Sequence, residues 1–352
     1  MTNVVNSFML YLKSGAMKKF IKSLILVLLF AGIFLSSAVA QQYLAGASLN
    51  GKWGFLDAKG TWVIKPGFDD VHNFSEGLAC AKSGDNWGFI GITGEWVIKP
   101  VYKRTEDFSE GLARVIDRNA GKWIYIDKTG KQAFNEQFEN CMNFSEGRAA
   151  ARASSRWGYI DKSGKYVIPD KYEHAETFSD GMGRVALDGV YGFVNPSGEW
   201  ALKTSLENIR DMNNGVAPAK GKKGWGFIDR TGKEIVAMVN EHAANFSEGL
   251  GRCRNKDKWG FYDATGKLIV PFTYDNCRDF SQGMAAVNVG KNWGYIDKTG
   301  NMAIKPQFDK ALDFFNGLAP VRNGKTWGYV DLTGKITVPF QFDEAYPFVK
   351  AD

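Results

Sequence analysis

The 352-residue chain is poor in histidine and cysteine. It has three histidines and four cysteines, namely His72, His174, His242, Cys80, Cys141, Cys253 and Cys277. Neither residue type occurs in an H-x-x-x-H or C-x-x-C spacing, so we expect no metal site and assign the histidines to the surface. A G-x-S-x-G nucleophile turn is also missing, which removes a common sign of a catalytic triad. The sequence therefore predicts no catalytic, cofactor-binding or metal-binding residues.

The net positive charge outside the first forty residues is small. The whole chain has 44 Lys and Arg against 38 Asp and Glu, but four of these lysines and no acid lie within residues 1–40. The remaining residues therefore carry 40 basic and 38 acidic side chains, an excess of only two. No basic run is left among them, and this composition argues against nucleic-acid binding.

Long apolar runs are confined to one segment near the N-terminus. Residues 17–23 are basic, residues 24–35 are apolar and residues 38–40 read Ala-Val-Ala. Twelve helical residues would span about 18 Å, less than the roughly 30 Å of a bilayer core. The pattern predicts a cleaved signal peptide at 17–40 and a non-native upstream extension at 1–16. This favours Met17 as the true start, and Met1 is the alternative. We expect an exported protein that is periplasmic, at the cell surface or extracellular, with no membrane span after cleavage.

In an exported chain the four cysteines allow three disulfide connectivities. Cys253 and Cys277 are close in sequence and form the favoured pair. The alternative is that all four thiols are free and semi-buried, because the cysteines do not recur at a regular interval. The sequence leaves both interpretations open.

What the sequence has in abundance is a repeat. Nine similar segments each begin at an aromatic residue, and these lead aromatics are Trp53, Trp87, Trp123, Trp157, Tyr191, Trp225, Trp259, Trp293 and Trp327. Their spacings are 34, then 36, then 34 six times. A period of this length over nine copies identifies a tandem-repeat domain, which we place at residues 41–352.

Each copy contains three strand-like pieces separated by glycine turns. A piece such as Gly-Leu-Ala-Arg-Val (111–115) precedes the lead aromatic, the second piece is of the type Trp-Gly-Tyr-Ile-Asp, and the third resembles Trp-Val-Ile-Lys-Pro. Short alternating or β-branched pieces between glycine turns are typical of antiparallel hairpins. The pattern predicts an all-β array of nine three-stranded antiparallel units of about 34 residues.

The frame of the copies favours an open array. The last copy ends just before another first strand would begin, so the termini offer no shared unit of the kind that closes many propellers. Nine blades would also exceed the typical four to eight. We therefore expect an open, curved or superhelical stack, and the alternative is a closed propeller-like ring.

An aspartate stands three residues before the turn glycine in seven copies. An Asp at this place can accept hydrogen bonds from the turn's N–H groups, while glycine adopts the positive φ that the turn requires. Because a catalytic carboxylate would not recur in copy after copy, we interpret these aspartates as structural. Gly91 and Asn195 replace the aspartate in the two other copies.

The recurring segments resemble the bacterial WG-repeat family, also called KWG repeats. The resemblance rests on stretches such as residues 51–66, 291–308 and 325–343, and it covers about residues 43–352. It implies an all-β repeat architecture, often in exported or surface-associated proteins, and no established enzymatic activity or standard ligand. Units 3 and 5 depart from the pattern, with Ile124 in place of glycine and Tyr191 in place of tryptophan, so we expect them to be locally distorted or less stable.

A second set of aromatics varies between copies. Trp62, Trp96 and Trp200 lie nine residues after their lead aromatic, where other copies carry Tyr166, Leu268 or Met302. Exposed aromatics here could stack on sugar rings or peptide side chains, and the alternative is that they pack across adjacent strands. We expect a non-enzymatic binding or scaffold surface for a protein partner. The other possibility is a module that binds carbohydrate or cell-envelope glycan through these three tryptophans.

Overall fold

The computed structural model describes residues 42–352, so the predicted segments 1–16 and 17–40 lie outside the described residues. Within 42–352 the chain is made of short β-strands and turns, and no helix there is long and apolar enough to cross a membrane. The all-β prediction is therefore confirmed for the described residues.

The strands group into nine small sheets, which we call blades and number in chain order. Blade 1 contains β1 (Tyr43–Leu49), β2 (Lys52–Leu56) and β3 (Trp62–Phe68). Blade 2 contains β4 (Asp70–Val71), β5 (Ala79–Ser83), β6 (Asn86–Ile90) and β7 (Trp96–Tyr102). Blade 3 contains β8 (Arg104–Thr105), β9 (Leu112–Ile116) and β10 (Trp123–Asp127). Blade 4 contains β11 (Asn140–Cys141), β12 (Ala149–Arg152), β13 (Trp157–Ile160) and β14 (Tyr166–Tyr172). Blade 5 contains β15 (His174–Ser179), β16 (Met182–Leu187), β17 (Val190–Val194) and β18 (Trp200–Lys203).

The remaining four blades follow the same order. Blade 6 contains β19 (Asn208–Ile209), β20 (Val216–Gly221), β21 (Gly224–Asp229) and β22 (Glu234–Asn240). Blade 7 contains β23 (His242–Ser247), β24 (Leu250–Asn255), β25 (Lys258–Asp263) and β26 (Leu268–Tyr274). Blade 8 contains β27 (Asn276–Cys277), β28 (Met284–Val289), β29 (Asn292–Asp297) and β30 (Met302–Phe308). Blade 9 contains β31 (Lys310–Ala311), β32 (Leu318–Asn323), β33 (Thr326–Asp331) and β34 (Ile336–Phe342), and the chain ends with β35 (Glu344–Ala345) and β36 (Val349–Lys350).

Most blades are four-stranded antiparallel sheets, so the three-stranded prediction is wrong by one strand. The extra strand comes from the segment between copies, which the sequence pattern treats as a linker. In blade 2, for example, Asp70 pairs with Lys82 and Val71 with Ala81. We call the strands of a blade first to fourth in sheet order. The strand from the linker is the first, and it has two residues in most blades and six in blades 5 and 7.

The array closes into a ring, which corrects the prediction of an open stack. The first strand of blade 1 is β35, from the far end of the chain, and it pairs Ala345 with Ala47 and Glu344 with Ser48. A second pairing joins β36 to Tyr43 and Leu44. The linker after the ninth copy thus supplies the shared blade that the three-strand frame lacks.

The blades pack on one another through a repeated aromatic pair. A Phe or Tyr of the third strand contacts a Phe from the next blade's linker at eight junctions, with ring centroids 4.7–5.0 Å apart. At the junction of blades 5 and 6, Phe193 and Met212 occupy these places in one buried cluster. These side chains are buried, so the core is a series of clusters between neighbouring blades.

The glycine after the lead aromatic allows the fourth strand to approach. At Gly88 an added Cβ would lie 2.4 Å from the carbonyl oxygen of Ile98, far inside van der Waals contact. Blade 3 carries Ile124 at this place, and its fourth strand is reduced to two isolated bridges, Trp123 with Phe138 and Ile126 with Gln132. The expected distortion of unit 3 is confirmed, whereas blade 5 keeps four strands with a shortened last one.

The four cysteines are free and buried, so the favoured pair of Cys253 and Cys277 is not a disulfide. Cys253 lies on the second strand of blade 7 and Cys277 on the first strand of blade 8. Burial raises the pKa of Cys277 to about 12 and raises that of Cys253 further. The alternative of four free thiols is confirmed, although they are fully rather than partly buried.

Candidate functional site

The ring has two chemically different faces. Because the strands are antiparallel, the turns between second and third strands lie on the same edge as the connections between blades. We call this edge the tryptophan face, since each lead aromatic stands near the start of a third strand. The opposite edge is the aspartate face, and it carries the turns that the aspartates precede.

The turns of the aspartate face are structural, as the sequence predicts. Oδ1 of Asp57 accepts hydrogen bonds from the N–H groups of Lys59 and Thr61, both at 2.9 Å. The same two bonds recur in the other six Asp-containing copies and at Asn195. A neighbouring Thr or Ser hydroxyl also bonds the carboxylate in most copies and lowers its pKa.

The Ser-Glu-Gly turns on the same face connect successive blades. Ser75 Oγ donates to the carbonyl oxygen of Phe108 in the next blade at 2.7 Å, and the contact recurs at Ser109, Ser145, Ser247 and Ser281. The carboxylate of Glu76 accepts from the N–H of Gly111 at 2.9 Å. Both side chains hold neighbouring blades together, so their recurrence reflects assembly of the ring rather than catalysis.

The tryptophan face combines aromatic and cationic side chains. The guanidinium of Arg114 lies 4.7 Å from the ring centroid of Trp123, and that of Arg210 lies 4.8 Å from Trp225. Similar contacts are made by Arg152, Arg252 and Arg322 with their own lead tryptophans. Such stacking holds the guanidinium in a fixed orientation over the aromatic ring.

His242 adds a different group to this face. It lies between Trp225 and Trp259, with ring centroids 6.2 Å and 5.3 Å away, and its Nε2 is 3.0 Å from the guanidinium of Arg210. Burial and the nearby charges of Arg210, Arg252 and Arg254 lower the pKa of His242. The imidazole is therefore neutral at pH 7 and accepts a hydrogen bond from Arg210.

Clefts open between blades where the lead tryptophans meet the first strands. Cavities of about 680, 460 and 390 Å³ lie at the junctions of blades 2 and 3, 8 and 9, and 9 and 1. Their lining includes Trp87, Trp293 and Trp327 respectively. Volumes of this order suit a side chain or a small ligand. Charged residues such as Lys310 and Lys325 border the cleft of blades 9 and 1.

The structure places Trp62, Trp96 and Trp200 away from these clefts, at the start of fourth strands. All three are half-buried. Each makes an edge-to-face contact with an aromatic of the preceding blade, at centroid distances of 5.6, 5.5 and 6.4 Å, with Phe342, Phe68 and Tyr172 respectively. They therefore pack between blades, and contact of their exposed parts with a ligand stays a prediction.

The fold brings together three side chains that no local sequence motif predicts. His72, Cys80 and Asp107 come together at the junction of blades 2 and 3, although the last is 35 residues from the first. His174 is exposed, and His72 and His242 are half-buried, so all three histidines reach the surface although two of them are partly enclosed. Comparison of copies could have found the group, since Cys80 stands where blades 3, 5 and 7 carry arginine.

A closed ring of nine small antiparallel sheets around an axis is a β-propeller. The family model described as WG containing repeat matches residues 53–87, 87–123, 125–153, 157–191, 191–224, 225–259, 259–293, 293–327 and 327–350. The chain belongs to this family, which confirms the resemblance seen in the sequence.

The fold also resembles solved structures of low sequence identity. A crystal structure of a eukaryotic initiation factor matches with a TM-score of 0.65 and 10% identity, covering 88% of this chain and 98% of that chain. The dihydro-heme d1 dehydrogenase NirN in complex with DHE matches with a TM-score of 0.49 and 12% identity, covering 88% of this chain and 75% of that chain. The first likeness supports the propeller fold alone. No curated protein matches the chain by sequence.

Proposed function

We propose that this protein is an exported, non-enzymatic scaffold that binds a protein partner through its tryptophan face. The observation that carries the proposal is the repeated stacking of arginine on half-buried or buried lead tryptophans. The pair Arg322–Trp327 lines one open cleft, and Arg252 of another pair lines a second. Tryptophan and arginine are the residues most enriched among the energetically dominant positions of protein interfaces. A propeller of repeated blades presents them at regular intervals around one face.

The charges at the edge of this face favour a protein partner over a polyanion. Oppositely charged side chains alternate around the edge in half-exposed pairs, namely Lys52–Asp69, Arg156–Glu173, Lys220–Glu207, Arg254–Glu241 and Lys258–Asp275. Mixed charges give specificity for a surface of complementary pattern. A nucleic acid would require a continuous basic stripe instead.

A binding role without catalysis agrees with the distribution of perturbed groups. Among residues 42–352, the tyrosines and cysteines with raised pKa values lie in the repeated cores between blades, and the lowered aspartates mostly cap repeated turns. Strongly perturbed groups at an active site would form one local constellation instead. Export rests on the signal-peptide pattern at 17–40. Intact mass of the protein recovered from cell fractions after expression from Met17 tests it directly.

The binding proposal is tested by reversing charges on one face at a time. Wild-type protein immobilised on beads is exposed to an envelope extract, and the bound proteins are identified. The double variant Lys310→Glu/Lys325→Glu changes the tryptophan face of blade 9 and is expected to lose the partner. Lys335→Glu, on the aspartate face of the same blade, is the matched control and is expected to retain it.

A glycan screen decides between the protein-binding proposal and the carbohydrate alternative. Binding to peptidoglycan or another envelope glycan that disappears in Trp62→Ala and Trp96→Ala would overturn the protein scaffold. Loss of a protein partner in both charge variants alike would overturn the assignment to the tryptophan face. Hydrolysis of a cell-wall polymer by the purified protein would contradict the non-enzymatic role.

A further inference from the structure

Three side chains with metal-binding atoms meet at the junction of blades 2 and 3. Nδ1 of His72 lies 2.9 Å from Oδ1 of Asp107, and Sγ of Cys80 lies 3.5 Å from the same oxygen. All three ligand atoms lie within 4.8 Å of one another. They come from different elements, since His72 follows β4, Cys80 is in β5 and Asp107 follows β8.

The other blades show what this position normally contains. Three other blades carry an aspartate equivalent to Asp107, and each is paired with an arginine of the preceding blade, in the pairs Arg184–Asp211, Arg252–Asp279 and Arg278–Asp313. In blade 2, His72 stands at the position of Arg278, and Cys80 stands at the position of Arg184 and Arg252. Asp107 therefore faces an imidazole and a thiol where its equivalents face a guanidinium.

A buried hydroxyl beside this group also lacks a partner. Thr105 is only 2% exposed, and its Oγ1 makes no hydrogen bond within the described residues. It lies next to the Cys80 thiol. Seven other buried side-chain atoms of the described residues also have no partner, but Thr105 is the one beside this group, where a bound ion with its water would supply one.

The site is accessible from one side. Cys80 is buried, whereas the side chains of His72 and Asp107 are 35% and 42% exposed. His72 and Thr105 line the cleft of about 680 Å³ between the blades, and Trp87 packs 5.2 Å from the imidazole. An ion could therefore enter from the cleft and be held against the buried sulfur.

We propose that His72, Cys80 and Asp107 bind a zinc ion. Sulfur, imidazole nitrogen and carboxylate oxygen are the three ligand types that Zn²⁺ takes, at about 2.0–2.3 Å, and three protein ligands leave a fourth position for water. Around such a tetrahedral ion the ligand atoms stand about 3.3–3.8 Å apart, so His72 and Asp107 separate slightly when it binds. The Cys80 thiol releases its proton to solvent as the sulfur coordinates the ion.

Zinc titration of the purified full-length chain tests the proposal. After removal of metal with a chelator, calorimetry with zinc chloride alone is expected to show about one bound ion per chain. Cys80→Ser and Asp107→Asn are expected to weaken binding at least ten-fold. Cys253→Ser, which changes another buried thiol, and His174→Ala, which changes an exposed imidazole, are expected to bind zinc as the wild type does.

Cobalt provides a second readout that a purely structural role would not produce. Co²⁺ bound to wild-type protein is expected to show a thiolate-to-metal charge-transfer band that is lost in Cys80→Ser and kept in Cys253→Ser. If Cys80→Ser does not fold, Asp107→Asn carries the test, because its side chain is half-exposed. Absence of zinc binding by the wild type, or wild-type zinc affinity in both site variants, would overturn the proposal.

Discussion

Tyr329 in blade 9 contacts Phe348, with ring centroids 5.0 Å apart, and Phe348 lies between the two strands that complete blade 1. The hydroxyl of Tyr329 also donates to the carbonyl oxygen of Tyr346 at 3.0 Å. This junction has the same aromatic geometry as the seven other aromatic junctions of the ring. Closure therefore uses the ordinary contact between blades, made by residues from opposite ends of the described chain.

Phe348→Ala should destabilise the ring at its closure. The side chain is fully buried, so its removal is expected to cost about 3–5 kcal/mol of unfolding free energy, measured by chemical denaturation. Phe315→Ala is the matched control, because Phe315 is 42% exposed, and it is expected to change stability by less than about 0.5 kcal/mol. A Phe348→Ala curve that overlays the wild type would contradict the role of this contact in closure.

Gly88→Ala should disturb blade 2. The added methyl group would lie 2.4 Å from the carbonyl oxygen of Ile98, so the fourth strand must move away, at an expected cost of about 1–3 kcal/mol. Gly67→Ala is the control, since the nearest atom to its added Cβ is 3.9 Å away. The two variants are compared by thermal unfolding, and equal melting temperatures would show that the close approach is not what selects glycine.

The repeat and its β-strands were predictable from the sequence, whereas ring closure was not. A strand such as Trp96–Tyr102 is predictable from its seven residues and its β-branched side chains. The strand Asp70–Val71 has only two residues, too few to show an alternating pattern. Without this strand in each unit, the sequence pattern does not show that the segment after the ninth copy can complete blade 1 and close the ring. The pairing of Glu344 with Ser48 depends on a contact between distant parts of the chain, which local periodicity does not encode.

The candidate sites were predictable only in part, because local periodicity shows repeated residues but not contacts between blades. The lead tryptophans recur at the same position of the repeat and could be found from the sequence. The arginines that stack on them occur at different positions and only in some copies. His72 and Asp107 are one period plus one residue apart, so they meet only because neighbouring blades pack side by side. Comparing each residue with the next copy, rather than with its own neighbours, is the way to find such pairs.

Asp297→Asn should remove a pH-dependent part of the stability. Hydrogen bonds from the Thr299 hydroxyl and nearby backbone N–H groups keep the pKa of Asp297 below its ordinary value of 3.8. This stabilisation is fully present above the unfolded pKa of about 4 and is lost as pH falls through the lower folded value. The urea midpoint of the variant should lie below that of the wild type at pH 7, and the two should converge in acid.

The natural variation at this position supplies the reverse experiment. Asn195 already makes the two backbone hydrogen bonds without a charge, both at 3.0 Å. Nδ2 of Asn195 also donates to the Glu199 carboxylate at 3.0 Å, so a carboxylate at position 195 would be repelled by Glu199. In a Glu199→Gln background, Asn195→Asp is therefore expected to add pH-dependent stability above about pH 4. If neither substitution changes the pH dependence of the urea midpoint, the charge on these turn residues contributes nothing measurable to stability.

The thiols should be inert in the folded protein and fully reactive after unfolding. Burial raises the pKa of Cys141 to about 11 and that of Cys277 to about 12, from an ordinary value of 9.0, and it also raises those of Cys80 and Cys253. Since the thiolate is the reactive form, a thiol reagent at pH 8 is expected to modify the metal-free native protein very slowly. In denaturant without reductant it should modify all four cysteines, as counted by intact mass. Modification of only two would show that a disulfide had formed after all.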